Sequence, residues 1–398
     1  MSPIVVVGAS LAGLSAVDAL RSGGHDGDVV VLDAATELPS DRPPLSKQVL
    51  AGTMEPTAAH QPLAGRLDDL GVDLRLGTPV AAFDAGALRL DLADGSALSA
   101  SGVVVATGAT PRALPGPSLG GVHVLRTLDD SLALRADLLA GPDRVAVIGA
   151  GFIGAEVAAT CRELGLEVTL IEAAPAPMVR VLPEAVGTFV ADLHRVHGVD
   201  VRLGVGVDGL VADGGRVRGV SLADGSVVDA SVVVIGIGVV PDVAWLEGSG
   251  VPVGNGVTCD QTCLAAPGVV AAGDVAEWFN PHFGERMRVE QWEHAIEQGA
   301  AAGRRLLAAD DDPAPFVSVP WFWSDQYDRK LQMAGRPAAT DEVHVLDGSF
   351  EEQRFVVAFR RGDRCTGVLG VNRPRHVVQA RMRLAESLDW APIEELLS

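Results

Sequence analysis

One pattern constrains the fold of this chain more than any other, and it occurs twice. The apolar run Ile4–Val7 leads into Gly8-Ala9-Ser10-Leu11-Ala12-Gly13, and Val145–Ile148 leads into Gly149-Ala150-Gly151-Phe152-Ile153-Gly154. Each reads as a strand, a tight glycine turn and a helix. Each is followed by a second apolar run that ends in an acid, Asp33 after Val29–Leu32 and Glu172 after Val168–Ile171. Such glycines bring backbone N–H groups and a helix N-terminus against a pyrophosphate without side-chain obstruction, and an acid about 20 residues further on is placed to accept a ribose hydroxyl. One pattern of this kind is weak evidence; two, each with its acid, imply a protein that holds two dinucleotides.

The expected fold class is therefore α/β, with two Rossmann-like dinucleotide-binding domains and a small C-terminal α+β domain. A length of 398 residues accommodates this, and an apolar share of 48%, mostly Ala, Val and Leu, suits buried parallel strands covered by helices. We expect residues 1–112 and 238–315 to form one discontinuous domain, 113–237 an inserted second, and 316–398 a third. Val103-Val104-Val105-Ala106-Thr107-Gly108 and Val232-Val233-Val234-Ile235-Gly236-Ile237-Gly238 are matching strands that end in small-residue turns. Hairpins are expected around Asp213-Gly214-Gly215 and Asp224-Gly225. Val269–Ala272 is another apolar strand, ending in Gly273-Asp274, with a helix from about Glu293 to Leu307 after it. A linker follows at Asp310–Pro315. Strands near 331–335, 343–346, 354–360 and 366–371 and closing helices make up the third region.

Composition excludes several functions. A net charge of −21 argues against nucleic acid as a partner. No run of about 18 apolar residues is uninterrupted, so no membrane span is expected, and the apolar N-terminal stretch lacks the basic start of a signal peptide. Four cysteines with no Cys-x-x-Cys point to a reducing cytoplasm. Cys259 and Cys263 lack a second ligand pair, and no metal site is expected. The nine histidines show no ligand spacing, and His194, His197 and His282 read as surface residues. From Phe316 onward the net charge is only −1, with arginines clustered at 360, 361 and 364, at 373 and 375, and at 381 and 383. These serve either a self-balanced surface or the docking of an acidic partner.

Further motifs carry a resemblance over essentially the whole chain: Asp41-Arg42-Pro43-Pro44-Leu45-Ser46-Lys47, Ala106-Thr107-Gly108 with Pro111-Arg112, Gly149–Glu156, Ala272-Gly273-Asp274-Val275, Glu290-Gln291-Trp292 and Pro320-Trp321-Phe322-Trp323-Ser324-Asp325-Gln326. With these the chain resembles the FAD-dependent NADH:ferredoxin reductases of the oxygenase-coupled, putidaredoxin reductase-like family, which share a glutathione reductase-like architecture.

The resemblance implies FAD on the first glycine turn (Gly8, Ser10, Ala12, Gly13) with Asp33. It places Arg42 and Lys47 along the flavin, with Ala106, Thr107, Gly108 and Arg112 in the same site. Gly273 and Asp274 would meet the ribityl chain, and Glu290, Gln291, Trp292 and Trp323 would border the ring. It implies NADH on Gly149, Gly151, Phe152, Ile153 and Gly154, with Glu156, Glu172, Gly236, Ile237 and Gly238. Two departures stand out: Ser10 replaces the middle glycine, and Asp33 is shorter than the usual Glu.

Glu172 would accept the ribose 2′-hydroxyl and repel a 2′-phosphate, favouring NADH, although Arg180 lies close in sequence. Lys47 and Glu156 would approach each other beside the reacting groups, the lysine stabilising negative charge on reduced flavin; read without the resemblance, they are a loop lysine and a first-turn helix acid. No cysteine precedes Cys161, so a thiol relay at the flavin is not expected. Trp321, Phe322 and Trp323 are either an apolar plug or a wall approached by a redox partner. The function implied is transfer of electrons from NADH through FAD to a 2Fe–2S ferredoxin serving a haem mono-oxygenase or Rieske oxygenase, in a cytoplasmic monomer. The alternatives are a reductase of rubredoxin or quinone, or an apoptosis-inducing-factor-like protein that responds to NADH.

Overall fold

The computed structural model describes residues 2–67, 69–308 and 313–397; the Asp310–Asp312 run expected in the linker lies outside the described residues. The chain divides into two compact units. The first comprises residues 1–41, 60–110 and 240–320, and the second residues 42–59, 111–239 and 321–398.

In the first unit a six-stranded sheet runs in the order Leu264–Ala266, Val269–Ala271, Gly102–Val105, Ile4–Val7, Val29–Leu32, Val72–Arg75. All neighbours are parallel except the first pair. The central strands are buried along their whole length, which explains why they read as unbroken Val and Leu runs rather than as alternating ones. Their register sets Val7 level with Leu32 and Val105, so Gly8, Asp33 and Ala106 leave the sheet at one edge. Helices Leu11–Ser22 and Trp292–Leu307 pack closely. A Cβ on Gly299 would lie 2.2 Å from the Ala12 carbonyl oxygen, so this approach needs glycine. An antiparallel hairpin, Ala276–Asn280 with Glu285–Arg288, comes between Asp274 and the helix, in addition to the expected elements.

The second unit repeats the plan. Its parallel sheet runs Asp200–Leu203, Val168–Glu172, Val145–Ile148, Val232–Ile235, Val122–His123. The hairpins expected at 213–215 and 224–225 join strands Val207–Asp213, Arg216–Leu222 and Val227–Asp229. A five-stranded antiparallel sheet follows in the order Trp321–Gln326, Arg329–Gly335, Arg364–Val371, Arg354–Arg361, Glu342–Ser349, with helices Pro374–Glu386 and Trp390–Leu397. Its first strand, formed by the aromatic-rich stretch, was not anticipated as a strand. This sheet packs on the parallel-sheet half of the unit, where Leu331, Phe355 and Phe359 share one apolar cluster with Ala155, Val186 and Phe189. The segment from Arg42 to Ala59 joins the same unit because Leu45 and Val49 bury against Leu125, Leu128 and Leu132.

Candidate functional site: two dinucleotide cradles and a buried Lys–Glu pair

The two glycine turns are built alike, nearly atom for atom. In the first unit Gly8 has φ +110°, and a Cβ there would meet the Ala106 carbonyl oxygen at 2.3 Å; a Cβ on Gly13 would meet the Gly8 oxygen at 1.9 Å. The corresponding values in the second unit are φ +97° at Gly149, 2.4 Å to Gly236 and, from Gly154, 2.0 Å to the Gly149 oxygen. Only glycine fits these four positions, because strand, turn and helix touch backbone to backbone. Gly108 and Gly238 close the two turns, both at positive φ.

The acids hold the turns shut. Asp33 accepts the N–H of Ala9 at 2.7 Å on one oxygen and that of Ala35 at 2.8 Å on the other. Glu172 accepts the N–H of Ala150 at 2.8 Å and that of Ala174 at 2.9 Å. Asp33, despite its shorter side chain, makes the same pair of contacts as Glu172. Each carboxylate oxygen has a second lone pair for a ribose hydroxyl.

Ser10 and Gly151 are the corresponding N-cap residues of helices Leu11–Ser22 and Phe152–Glu163, with similar extended backbone angles. The Ser10 side chain makes no capping hydrogen bond, and a Cβ on Gly151 would meet nothing within 4 Å. The first N–H groups of both helices have no partner within the helix. Ala12 packs against Gly273, whose N–H donates to the Gln298 side-chain oxygen at 2.9 Å, and the Asp274 carbonyl accepts from Arg288.

Other expected residues fall into place unit by unit. In the first, the Thr107 hydroxyl donates to the Asp242 carbonyl at 2.7 Å. Glu290 pairs with Arg288 at 2.6 Å, and Gln291 precedes the helix that begins at Trp292 without a side-chain capping hydrogen bond. The Trp292 indole N–H donates to Asp41 at 2.7 Å, and the Gln61 amide donates to the same oxygen at 2.6 Å. In the second, Arg42 is half-buried, Arg112 is exposed and Ile153 is 45% exposed beside the turn. The Arg112 N–H donates to the Gly238 carbonyl, beside Ile237. Phe152 meets Phe322 edge-on with ring centroids 4.3 Å apart, and Trp323 lies 5.3 Å from Trp321. The Arg180 guanidinium approaches the Gly238 turn.

Lys47 and Glu156 meet. The Lys47 ammonium lies 2.9 Å from Glu156 Oε2, with both side chains largely withdrawn from solvent. The Ser46 hydroxyl donates to the same oxygen at 2.5 Å, while Ser324 at 2.9 Å and the Asp325 backbone N–H at 3.3 Å serve Oε1. The 42–47 loop is pinned from two helices: Thr160, one turn beyond Glu156, donates to the Ser46 carbonyl at 2.7 Å, and Ser131 donates to that of Leu45 at 2.7 Å. Asp41, Ser46, Thr160, Ser131, Ser324 and Gln298 were not foreseen as site residues. Asp41, Ser46 and Ser324 lie in motifs already singled out; Gln298, Thr160 and Ser131 had no local signal.

His194 corrects the expectation of a surface histidine. It is fully buried in helix Glu184–Val196, on the face that also carries Val186, Phe189, Val190 and Leu193. Its Nδ1 lies 2.9 Å from the Tyr327 hydroxyl, and burial lowers its pKa to about 4. His197 stacks on the Tyr327 ring. All four cysteines are buried and free, and burial pushes Cys161 and Cys259 up to about 12. Among the described residues no helix is long and apolar enough to cross a membrane.

Residues 2–299 match the pyridine nucleotide-disulphide oxidoreductase family and residues 321–393 the reductase C-terminal family. Rhodocoxin reductase of Rhodococcus erythropolis is 38% identical over 98% of this chain and 91% of its own length. The anthranilate 1,2-dioxygenase system ferredoxin–NAD(+) reductase component of Burkholderia cepacia is 40% identical over 96% and 94%. The covalent putidaredoxin reductase–putidaredoxin complex contains a structure that superposes with a TM-score of 0.94 at 32% identity, covering 100% of this chain and 96% of that one. With its paired cradles and matches along its whole length, the chain belongs to the pyridine nucleotide-disulphide oxidoreductase family, among the ferredoxin reductases of oxygenase systems.

Proposed function

We propose that this chain passes electrons from NADH through FAD to a 2Fe–2S ferredoxin that supplies an oxygenase, acting as a cytoplasmic monomer. The observation that carries the reading is the duplication of one cradle in one chain, each copy with its own acid clamp. Ferredoxin reductases of this family use FAD and NAD(H). Both cradles fit a dinucleotide: the space in front of Gly151 is open, the helix starts offer unpaired N–H groups, and an acid stands at each neighbouring strand end. Gly8, Ser10, Ala12, Gly13, Asp33, Ala106, Gly273 and Asp274 would hold FAD, and Gly149, Gly151, Gly154, Glu172 and Gly236 would hold NADH. Bound FAD supplies the exchange between a two-electron donor and a one-electron acceptor.

The chain's own groups do the rest. Glu172 would set a carboxylate against the 2′-phosphate of NADPH. Lys47 presents a positive group whose buried charge Glu156 balances, so negative charge can be met without an isolated buried cation. The buried cysteines are held as thiols, which supports direct exit of electrons without a thiol relay. Trp321 and Trp323, with Arg381 5.7 Å above the Trp321 ring, form a half-buried aromatic and cationic patch suited to an acidic ferredoxin.

The test is anaerobic stopped-flow reduction by NADH and, separately, NADPH, followed at the flavin band, with a 2Fe–2S ferredoxin added afterwards. Fast NADH-selective bleaching and rapid recovery on adding ferredoxin are expected. Slow bleaching with a lasting long-wavelength band, or no response to ferredoxin, would overturn the proposal in favour of a sensor or another acceptor.

A further inference from the structure

The Glu156 carboxylate is buried, yet all four of its acceptor directions are taken by donors from its own unit: Ser46 and Lys47 on Oε2, Ser324 and the Asp325 N–H on Oε1. Ser324 is the one whose own surroundings extend inward. It is fully buried and accepts from the Gln326 side-chain amide at 3.2 Å. Donating to a carboxylate uses its single proton, so the Gln326 NH2 group must point at its oxygen and the Gln326 oxygen away from it.

That oxygen is buried and has no hydrogen-bond partner among the described residues, so the Gln326 side chain serves Ser324 through its amide alone. The Gln326 amide and the Ser324 hydroxyl donate in the same direction, toward Glu156, and hydrogen bonds arranged head to tail strengthen one another.

We propose that Ser324, backed by Gln326 in a head-to-tail pair of hydrogen bonds, is a positioning residue for the Lys47–Glu156 pair. By engaging Oε1 it leaves Lys47 to meet Oε2 alone. The ammonium is thereby held at one point, with two of its three N–H donors directed elsewhere. Ser324 and its supports touch no reacting atom; they act through Glu156. The role in turnover rests on the electron-transfer reading above, whereas the geometry of the pair does not.

The chain contains two lysines, Lys47 and Lys330, which makes a direct readout possible. Lysine labelled with 13C and 15N in the FAD-loaded protein gives two side-chain signals, assigned with Lys330→Arg. In Ser324→Ala the Lys47 signal should move by more than its linewidth, and Ser324→Thr, which keeps the hydroxyl, should return it. Gln326→Leu, which removes the donor behind Ser324, should move it less and in the same direction, and serves as the deciding variant if Ser324→Ala fails to fold. NADH-driven kcat should fall about tenfold in Ser324→Ala with KM within about twofold, as expected for losing one hydrogen bond to a charged group. An unmoved Lys47 signal in Ser324→Ala and Gln326→Leu, or an equal shift in Ser324→Thr, overturns the proposal. If the signals behave as stated but ferredoxin is not reduced, the electron-transfer reading fails and the positioning role stands.

Discussion

Glu172 accepts the backbone N–H of Ala150 at 2.8 Å, joining the end of one strand to the glycine turn that follows its neighbour. The residue that would select the nucleotide thus also holds the turn that would bind its phosphates. The two roles separate by substitution. Glu172→Gln retains an acceptor oxygen and removes the charge, so NADPH should gain on NADH by about tenfold in kcat/KM, the size of one partly screened charge repulsion. Glu172→Ala should instead weaken both nucleotides, because the Ala150 and Ala174 amides lose their partner. Steady-state kinetics with both nucleotides decide it; an unchanged NADPH-to-NADH ratio in Glu172→Gln would remove Glu172 as the selector.

Ser10 occupies the position that Gly151 holds in the other cradle, and its hydroxyl caps nothing. Ser10→Gly should therefore leave stability within about 0.5 kcal/mol and FAD affinity within about threefold. Ser10→Leu should lower FAD occupancy sharply by filling the space in front of the helix start. The ratio of flavin to protein absorbance after purification is the measurement. A large loss of flavin in Ser10→Gly would mean that the hydroxyl itself binds the cofactor.

Much of this was legible in the sequence, for a physical reason. A strand, a glycine turn and a distant acid form a local pattern, since each glycine is demanded by backbone contacts a few residues away, as the 1.9 Å clash at Gly13 illustrates. The Lys47–Glu156 pair was expected only through family resemblance, and their supports were not expected at all. Ser46 lies 110 residues from Glu156 and Ser324 lies 168, and a hydroxyl that serves so distant a partner leaves no periodic trace. The strand Trp321–Gln326 was missed because its buried face carries the polar Ser324 and Gln326 while large aromatics stand on the other, which inverts the alternation that marks a strand. His194 could have been found. It follows Val190 by one helical turn on an apolar stripe, the spacing that marks a buried face.

Gly299→Ala tests how tightly the first cradle is built. Alanine should help a helix interior by about 1 kcal/mol, yet its Cβ would lie 2.2 Å from the Ala12 carbonyl oxygen. Overpacking should win, with a net loss of about 1–3 kcal/mol in urea unfolding. Because Ala12 belongs to the first turn of the cradle's helix, flavin retention should fall as well. Unchanged stability would show that the two helices can separate without cost.

Acid should destabilise the fold through two buried histidines, one in each unit. Burial lowers the pKa of His194 and of His294 to about 4, from an ordinary value of 6.5. Above pH 6.5 both are neutral whether the chain is folded or unfolded, and they make stability no function of pH. Between 6.5 and 4 the unfolded chain binds protons that the folded chain refuses, so stability falls as pH falls, by roughly 1.4 kcal/mol per unit for each histidine in the middle of that window. Below 4 the folded state takes up protons too and this contribution levels off. His194→Gln should be less stable at pH 7, since the Tyr327 hydroxyl loses its partner, but should lose less on going from pH 6.5 to 4.5. Urea unfolding at pH 7, 6 and 5 on the wild-type chain and this variant gives the comparison, and equal slopes would show that His194 does not resist protonation in the folded protein.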